Sequence, residues 1–205
     1  MFTQPENAHS KKEIRRALRL ARKMQPENQR KRRELQANRQ LKSHIKRSKR
    51  IAVYWGIGSE LRLDHFIQAA KKRGAHVYLP YIEPHSLRLW FTPYPNGSLK
   101  PERKRGKSKL YVPQFQGKKL RADRLHMVVL PIVGIDKCGY RLGQGGGYYD
   151  FTFAACQHKL QPHKIAVGYA CQSVASLPCE PHDIRAHKFV SERGIHRFSY
   201  RSDKG

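Results

Sequence analysis

Residues 141–150 combine residue types that bind phosphate: the segment reads Arg-Leu-Gly-Gln-Gly-Gly-Gly-Tyr-Tyr-Asp. Four glycines fall within positions 143–147, and glycine tolerates positive φ angles and lets backbone N–H groups approach a ligand closely. The segment follows an apolar run and precedes a stretch that favours a helix, and successive N–H groups at a helix N-terminus attract anions. Arg141 adds a planar guanidinium suited to phosphate. The pattern indicates a phosphate-binding loop, although the glycines alone would also suit a flexible turn.

Asp150, in the first turn of that expected helix, has two interpretations. Its carboxylate could ligate a Mg²⁺ ion that bridges nucleotide phosphates, or it could simply favour the positive end of the helix dipole. The glycine run is not a Walker loop, because Lys and Ser/Thr do not follow it. It is not a dinucleotide-binding fingerprint either, because it lies late in the chain and its glycines are nearly consecutive.

Short apolar runs alternate with helical patterns along the rest of the chain. The predicted strands are 51–55, 75–79, 87–91, 127–130, 165–169 and 188–190, with a short strand near 110–112. The predicted helices are 11–24, 27–48, 61–73 and 148–160. This order predicts an α/β fold: a three-layer sandwich with a mainly parallel central sheet, Rossmann-like, with a helical N-terminus. Ligands of such sheets bind beyond the carboxyl ends of the strands, so the loops after Trp55, Leu130 and Tyr169 should converge there.

The composition fits one domain, predicted at residues 11–200 after a disordered leader at 1–10. The chain has 42 lysines and arginines against 15 acidic residues, a formal charge of +27. Residues 1–50 contribute 17 basic and 4 acidic residues, so the excess is denser there but extends over the whole chain. Such a charge attracts nucleic acid, nucleotides or polycarboxylate substrates, or it is a general surface bias.

The remaining features of the composition concern the compartment. The four cysteines lack Cys-x-x-Cys spacing and are expected to be free thiols in a reducing compartment. No continuous 18-residue apolar run predicts a membrane span, and the N-terminus lacks a signal-peptide hydrophobic region. The expected location is the cytoplasm.

Residues 134–150 as a whole closely resemble the signature of the 5-formyltetrahydrofolate cyclo-ligase family, also called 5,10-methenyltetrahydrofolate synthetases. Supporting parts occur in order: Lys11-x-x-Ile-Arg15, Glu60 after the first strand, 130–136, and the closing segment with Gln172 and 181–183. The likeness spans about residues 11–195. One departure lies within the phosphate loop and would adjoin the transferred phosphoryl group: Gln144 stands where the family usually has Tyr or a basic residue.

The resemblance implies a reaction as well as a fold. A member would cyclise 5-formyltetrahydrofolate, with or without a polyglutamate tail, to 5,10-methenyltetrahydrofolate and release ADP and phosphate. A formamide oxygen is a poor leaving group, so transfer of the γ-phosphoryl group of ATP to that oxygen would precede ring closure. The protein would then act mainly by positioning its substrates and by neutralising charge, and Mg²⁺ would be its cofactor. The expected oligomeric state is a monomer.

The resemblance also implies roles for single residues. The expected catalytic residues are Arg141 and Tyr148. The expected ATP contacts are Lys11, Arg15, Arg141, Leu142, Gly143, Gln144, Gly145, Gly146, Gly147, Tyr148 and Tyr149. The expected folate contacts are Trp55, Glu60, Gln144, Gly145, Gly146, Gly147 and Tyr148, and the expected metal ligands are Asp150 and Asp183.

Each of several roles has a structural alternative. Lys11 and Arg15 could belong to a solvated helical face, Asp183 could be a cap or turn residue, and Trp55 could be core. Two other functions also remain open at this point. One is the same fold with a different substrate, which Gln144 would suit. The other is nucleic-acid binding, which the charge suits although no RRM, KH or zinc-finger motif occurs.

Overall fold

The computed structural model describes residues 10–97, 101–105, 112–159, 161–180 and 182–199. The leader predicted at 1–10 lies outside these ranges except for Ser10, as do residues 110–111 of one predicted strand and Pro181. Ser10 is the N-cap of the first helix. Its hydroxyl accepts a hydrogen bond from Glu13 N, and the Glu13 carboxylate accepts one from Ser10 N. This capping box explains why the helix begins at Lys11.

The described residues form the following elements. The helices are α1 Lys11–Lys23, α2 Glu27–Leu41, α3 Asp64–Lys72 and α4 Tyr148–Ala154. The strands are β1 Arg50–Ala52, β2 His76–Ile82, β3 Leu89–Pro93, β4 Arg103–Arg105, β5 Val112–Gln114, β6 Met127–Pro131, β7 Gly134–Asp136, β8 Arg141–Leu142, β9 His163–Val167, β10 Ser173–Val174, β11 Lys188–Ser191 and β12 Gly194–Arg197.

The central sheet has seven strands in the order β12-β11-β9-β6-β1-β2-β3. Its five inner strands are all parallel, and β12 and β3 pair antiparallel at the two edges. A small sheet of β10, β7 and β8 holds the segment that leads into the glycine loop. The mainly parallel sheet predicted from the sequence is therefore confirmed.

Apolar residues cover both faces of the sheet, which gives three layers. Alternate residues of β6 belong to different clusters: Val129 packs in the cluster with Phe66 of α3, and Val128 packs in the cluster with Phe153 of α4. Helices α2 and α3 cover the first face, where Leu41 and Phe66 are fully buried. Because a parallel sheet must be shielded on both sides, this two-faced burial is what the chain needs for stability.

Three predicted helices are several residues shorter than expected. Helix α3 spans Asp64–Lys72 rather than 61–73, and α2 and α4 differ more. Helix α2 ends at Leu41 rather than Ser48, because a 3₁₀ turn follows and Ser48 has a φ of +57°. The Arg73 side chain donates to Lys42 O and so satisfies a carbonyl at that helix end. Helix α4 ends at Ala154 rather than 160, and the Gln161 amide donates to Cys156 O in the turn that follows.

Several strands also differ from expectation: β1 is shorter than the predicted 51–55, and β4, β7, β8 and β10 were not predicted. Two further differences concern β2 and β12. Strand β2 continues through Pro80, which lies opposite Phe91 of β3. The backbone N–H and C=O of Phe91 bond to Leu120 and not to Pro80. Proline is therefore tolerated here, because Phe91 needs no N–H donor from position 80. Strand β12 was not predicted from the sequence, because its Ile195, His196 and Arg197 are all exposed and show no alternation.

All four cysteines are free thiols, as their spacing predicts. Within the described ranges, the helices are too short or too polar to cross a membrane.

Candidate active site

A cavity of about 430 Å³ opens beyond the carboxyl ends of the parallel strands. Its walls include Tyr54 and Trp55 after β1, Pro131 at the end of β6, and the glycine loop. Its lining contains all of the predicted site residues: Lys11, Arg15, Trp55, Glu60, Arg141, Leu142, Gly143, Gln144, Gly145, Gly146, Gly147, Tyr148, Tyr149, Asp150 and Asp183. A volume of this size lies within the range of ordinary ligand sites.

One predicted contributor is absent from the cavity lining. The loop after Tyr169 was expected to converge with the other two, but its residues do not line the cavity. Gln172 is instead buried below it, where its amide donates to the carbonyls of Ile132 and Val133 at 2.8 and 2.9 Å. That loop supports the segment from β6 to β7 and does not face a ligand.

The glycine loop needs glycine at several of its positions. A Cβ atom at Gly143 would lie 2.7 Å from Arg141 Nη1, and one at Gly146 would lie 2.9 Å from the Tyr148 ring. Gly145 and Gly147 have φ angles of +101° and +70°, which L side chains rarely adopt. These constraints favour a built loop over a flexible turn.

Arg141 and Asp150 form a pair in the cavity wall. Arg141 Nη2 donates to Asp150 Oδ1 at 2.9 Å, and the Arg141 side chain is only 3% exposed. Its Nε is buried without a hydrogen-bond partner among the described residues. Buried donors are rarely left unsatisfied in proteins, so this atom is a candidate contact for a bound anion.

A second cation–carboxylate contact lies across the same cavity. Lys11 Nζ donates to Asp183 Oδ2 and to Glu180 Oε1, both at 2.8 Å. Burial opposes the charged form of each group, but the ion pair prevails: it raises the pKa of Lys11 and lowers the pKa of Asp183. Lys11 is therefore not part of a solvated helical face, and Asp183 is more than a turn residue.

Helix α1 also contacts the glycine loop through Arg15. Its Nε donates to Gly143 O at 2.9 Å. Burial and the charge of Arg19 lower the pKa of Arg15, so the α1 cations repel each other at the rim of the cavity. A concentration of cations beside a glycine loop favours a polyanionic ligand.

Gln144 connects α1 with the loop after β1. Its Oε1 accepts hydrogen bonds from Arg19 Nε and Nη2 at 3.1 and 2.6 Å, and its Nε2 donates to Glu60 Oε1 at 2.7 Å. Glu60 Oε2 accepts a further bond from Ile57 N at 3.1 Å. The Glu60 carboxylate is buried and is held through both of its oxygens.

The aromatic residues of the cavity divide into two kinds. Trp55 is 37% exposed and contacts Tyr94 and Phe115, with ring centroids 6.2 and 5.6 Å away, so it is a rim residue and not core. Tyr149 stacks on Phe153 at 6.5 Å and lies beneath the Arg141 guanidinium. Burial raises the pKa of Tyr149 and Arg141 lowers it in part, so the phenol is neutral.

A sequence model of the 5-formyltetrahydrofolate cyclo-ligase family matches residues 7–192. The chain belongs to this family. It is 36% identical to the 5-formyltetrahydrofolate cyclo-ligase of Escherichia coli K12 over 140 residues, which are 65% of this chain and 72% of the relative. It is 31% identical to the Haemophilus influenzae enzyme of the same name over 142 residues, 68% of this chain and 73% of the relative.

Solved structures show the same fold for proteins named 5,10-methenyltetrahydrofolate synthetases. The Aquifex aeolicus structure superimposes with a TM-score of 0.73 at 24% identity, over 95% of this chain and 99% of that one. The Mycoplasma pneumoniae structure superimposes with a TM-score of 0.72 at 19% identity, over 90% and 99%. At these identities the likeness concerns the fold alone.

Some residues of this cyclo-ligase family cavity were missed from the sequence. Glu180 shares Lys11 with Asp183, and His182 Nε2 lies 3.3 Å from Glu180 Oε2. The signal available was that an acidic residue stands three positions before Asp183. The apolar wall of Ile57, Ile82 and Leu89 gave no such signal, because apolar residues at strand ends look the same whether they line a cavity or a core.

Of the carboxylates that line the cyclo-ligase family cavity, Asp150 and Asp183 are the two predicted to ligate a cation. No group of three or more His, Cys, Asp or Glu side chains suited to a metal occurs in the part of the chain described. Asp150 Oδ1 is close to Ile184 N at 3.3 Å, so the Asp150 carboxylate lies beside the 183–184 segment. Two carboxylates fit Mg²⁺, which usually takes one or two from the protein and the rest from substrate phosphates and water.

Proposed function

We propose that the protein uses ATP to cyclise 5-formyltetrahydrofolate to 5,10-methenyltetrahydrofolate, with release of ADP and phosphate. One observation carries the proposal beyond family membership. The two cation–carboxylate contacts, Arg141–Asp150 and Lys11–Asp183, face one cavity beside the glycine loop. Each contact joins a group suited to phosphate with a group suited to a cation.

Without a ligand, the cations and carboxylates of the site thus neutralise one another. Binding of ATP and Mg²⁺ would replace these ion pairs by contacts with the ligands. The phosphates would take over the Lys11 and Arg141 cations, and the carboxylates of Asp150 and Asp183 would hold Mg²⁺. When bound, Mg²⁺ would offset the negative charge of the phosphates. The unpartnered Nε of Arg141 supports this exchange, because it gives the guanidinium a further donor for a phosphate oxygen.

The reaction then needs little covalent chemistry from the protein. The formyl oxygen attacks the γ-phosphorus, the bond to the β-phosphate oxygen breaks, and ADP leaves. N10 attacks the formyl carbon and loses its proton, and phosphate departs with the former formyl oxygen. Arg141 and the N–H groups of the glycine loop would stabilise the transferring phosphoryl group, and the cavity would hold the two substrates in line. Tyr148 lines the cavity at the loop and would contact the formyl end.

The folate would occupy the side of the cavity formed by Trp55 and Glu60. The exposed Trp55 ring offers a face for the pterin, and the apolar wall of Ile57, Ile82 and Leu89 would cover it. The Glu60 carboxylate would accept hydrogen bonds from pterin N–H groups, since a carboxylate is an acceptor. The basic surface would speed capture of substrates with polyglutamate tails.

We also propose that a single chain is complete for the reaction. All of the residues given roles above lie in one chain and one cavity. The free cysteines suit a reducing cytoplasm, which is the location we propose.

Turnover of purified protein tests the proposal. The protein would be mixed with 5-formyltetrahydrofolate, ATP and Mg²⁺, and product followed by absorbance. We expect ATP-dependent product, and a loss of at least about 100-fold in kcat/KM for Arg141→Ala and Asp150→Ala. Arg193→Ala, at an exposed arginine outside the cavity, should keep the full rate. Folded protein that binds ATP but forms no product would favour another substrate on the same fold.

A further inference from the structure

The edge of the sheet opposite the cavity carries a continuous row of basic residues. Five segments at or before the amino ends of parallel strands form it: 46–50, 72–76, 124–126, 163–164 and 187–188. They contain nine lysines and arginines, four histidines and no aspartate or glutamate. We call these segments the basic edge.

Backbone hydrogen bonds join the segments of the basic edge side by side. The bonds run from His76 N to Lys49 O, from His126 N to Arg50 O, from His163 N to His126 O and from His187 N to Lys164 O, each at 2.9 Å. The row therefore crosses five neighbouring strands, β2, β1, β6, β9 and β11. At ~4.8 Å between strands it is about 19 Å long.

The positive charges of the basic edge act on one another. Burial and then the cations Lys49 and Arg50 lower the pKa of His126. Burial and then the cation Lys164 lower the pKa of His187. The acidic residue next to the row, Asp123, already has a cation nearby, because its Oδ2 lies 3.8 Å from Lys159 Nζ. Neighbouring cations that lower one another's pKa repel each other, and a bound anion would offset that repulsion. Such a surface favours an anionic partner.

We propose that the basic edge binds a nucleic acid through its phosphate backbone, without reading sequence. A row of about 19 Å matches about five or six phosphates of a strand in a stacked, helical conformation, at the ~3.4 Å axial rise per charge that one strand has in a duplex. Lys46, Lys49 and Arg124 are exposed and available for such contacts. An anionic membrane fits less well, because the exposed large hydrophobic residues that would anchor it lie outside the five segments.

The basic edge is separate from the cavity. From His126 to Pro131, which lines the cavity, strand β6 extends over about 16 Å. A nucleic acid on the basic edge therefore leaves the cavity open to ATP and folate. This inference does not rest on the proposed enzymatic function.

The test compares two variants of equal charge. The edge variant is Lys46→Gln, Lys49→Gln and Arg124→Gln, and the control variant is Lys118→Gln, Lys137→Gln and Arg193→Gln, at exposed positions elsewhere. Binding of a mixed-sequence single-stranded RNA of about 20 nucleotides would be measured against salt. With about five phosphates neutralised, the unchanged protein should give a slope of log K against log salt of about −3.5. The edge variant should reduce its magnitude by about 2 and weaken binding about tenfold or more, while the control variant stays close to the unchanged protein.

Three results would overturn the proposal. Equal losses in the two variants would show attraction to the overall charge and no defined surface. Full displacement of the RNA by inorganic phosphate at matched ionic strength would show a simple anion site. Binding to phosphatidylserine vesicles but not to RNA would make the partner a membrane. Circular dichroism spectra of both variants would establish that each is folded, and an unchanged KM for ATP at saturating RNA would show that the RNA is outside the cavity.

Discussion

Gln144 Nε2 donates to Glu60 Oε1 at 2.7 Å, across the mouth of the cavity. The orientation of the amide follows from chemistry. Arg19 can only donate, so the amide oxygen faces it, and the amide nitrogen must then face the Glu60 carboxylate. Gln144 therefore aligns the carboxylate that we propose binds the pterin. This contact explains a role for Gln144, a position at which the chain departs from the family signature.

Replacement of Gln144 by Leu should raise KM for the folate about tenfold, because a hydrogen bond to a charged group is worth ~1.5–3 kcal/mol and its loss leaves Glu60 unaligned. A double-mutant cycle with Glu60→Gln measures the coupling, and we expect the two losses to be far from additive. Gln68→Leu, at an exposed position of α3, is the matched control. Additive effects would mean that Gln144 acts independently of Glu60.

Lys11→Ala should raise KM for ATP about tenfold if a phosphate replaces Asp183 as the partner of this cation. The neighbouring Lys12 is exposed and does not line the cavity, so Lys12→Ala is a close control that should change KM less than about twofold. Equal effects of the two substitutions in steady-state assays would place the role of Lys11 in the general charge of α1 and not in the site.

Asp150→Ala should lower the free energy of unfolding by about 3 kcal/mol, because it leaves the buried Arg141 guanidinium without its carboxylate. The same variant should gain more thermal stability from Mg²⁺-free ATP than the unchanged protein does, since no internal pair must be broken before phosphate binds. Thermal unfolding with and without ATP and EDTA measures both quantities. A smaller gain in the variant would contradict the partner exchange proposed for the site.

The sequence predicts the parallel sheet, because hydrophobic periodicity is a local signal. It also predicts that the glycine loop and the segment after β1 converge, because the position of ligands in such sheets follows from topology. It does not predict the pairing of Lys11 with Asp183, because 172 positions separate them and only the folded chain brings them together. The loop after Tyr169 was wrongly placed at the cavity because the topological rule applies to every parallel strand alike and does not say which loops turn away. In the folded chain, Gln172 of that loop donates to two backbone carbonyls.

Gly143→Ala should reduce kcat about 100-fold while leaving the fold intact. Its Cβ would lie 2.7 Å from Arg141 Nη1 and would displace the guanidinium, and a shift of ~1 Å in a positioning group can cost that much. Gly56→Ala is the control, because its Cβ would meet its nearest atoms at 3.7 Å, an ordinary contact. Steady-state kinetics give kcat for both variants. A fully active Gly143→Ala would contradict the role proposed for Arg141 in stabilising the transferring phosphoryl group.

His163 should make the protein less stable in mild acid. Burial, and then the charges of His187, Lys188, His44 and Lys164, lower its pKa from 6.5 to about 4 in the folded state. The unfolded state therefore binds more protons between these two values, so its share of the stability is present above pH 6.5 and is lost as the pH falls towards 4.

Urea unfolding at a series of pH values measures this loss, which we expect to be on the order of 1 kcal/mol because the ring is partly solvated. His163→Phe keeps the ring stacked against His187, at 4.7 Å in the unchanged protein, but cannot titrate, so its stability should vary less with pH. The exposed His158→Phe is the control and should behave like the unchanged protein. Because His163 belongs to the basic edge, a bound polyanion should raise the pKa of His163 in the folded state and so reduce this loss of stability. An identical pH profile in His163→Phe and the unchanged protein would show that other groups, such as His44 and His187, dominate the acid response.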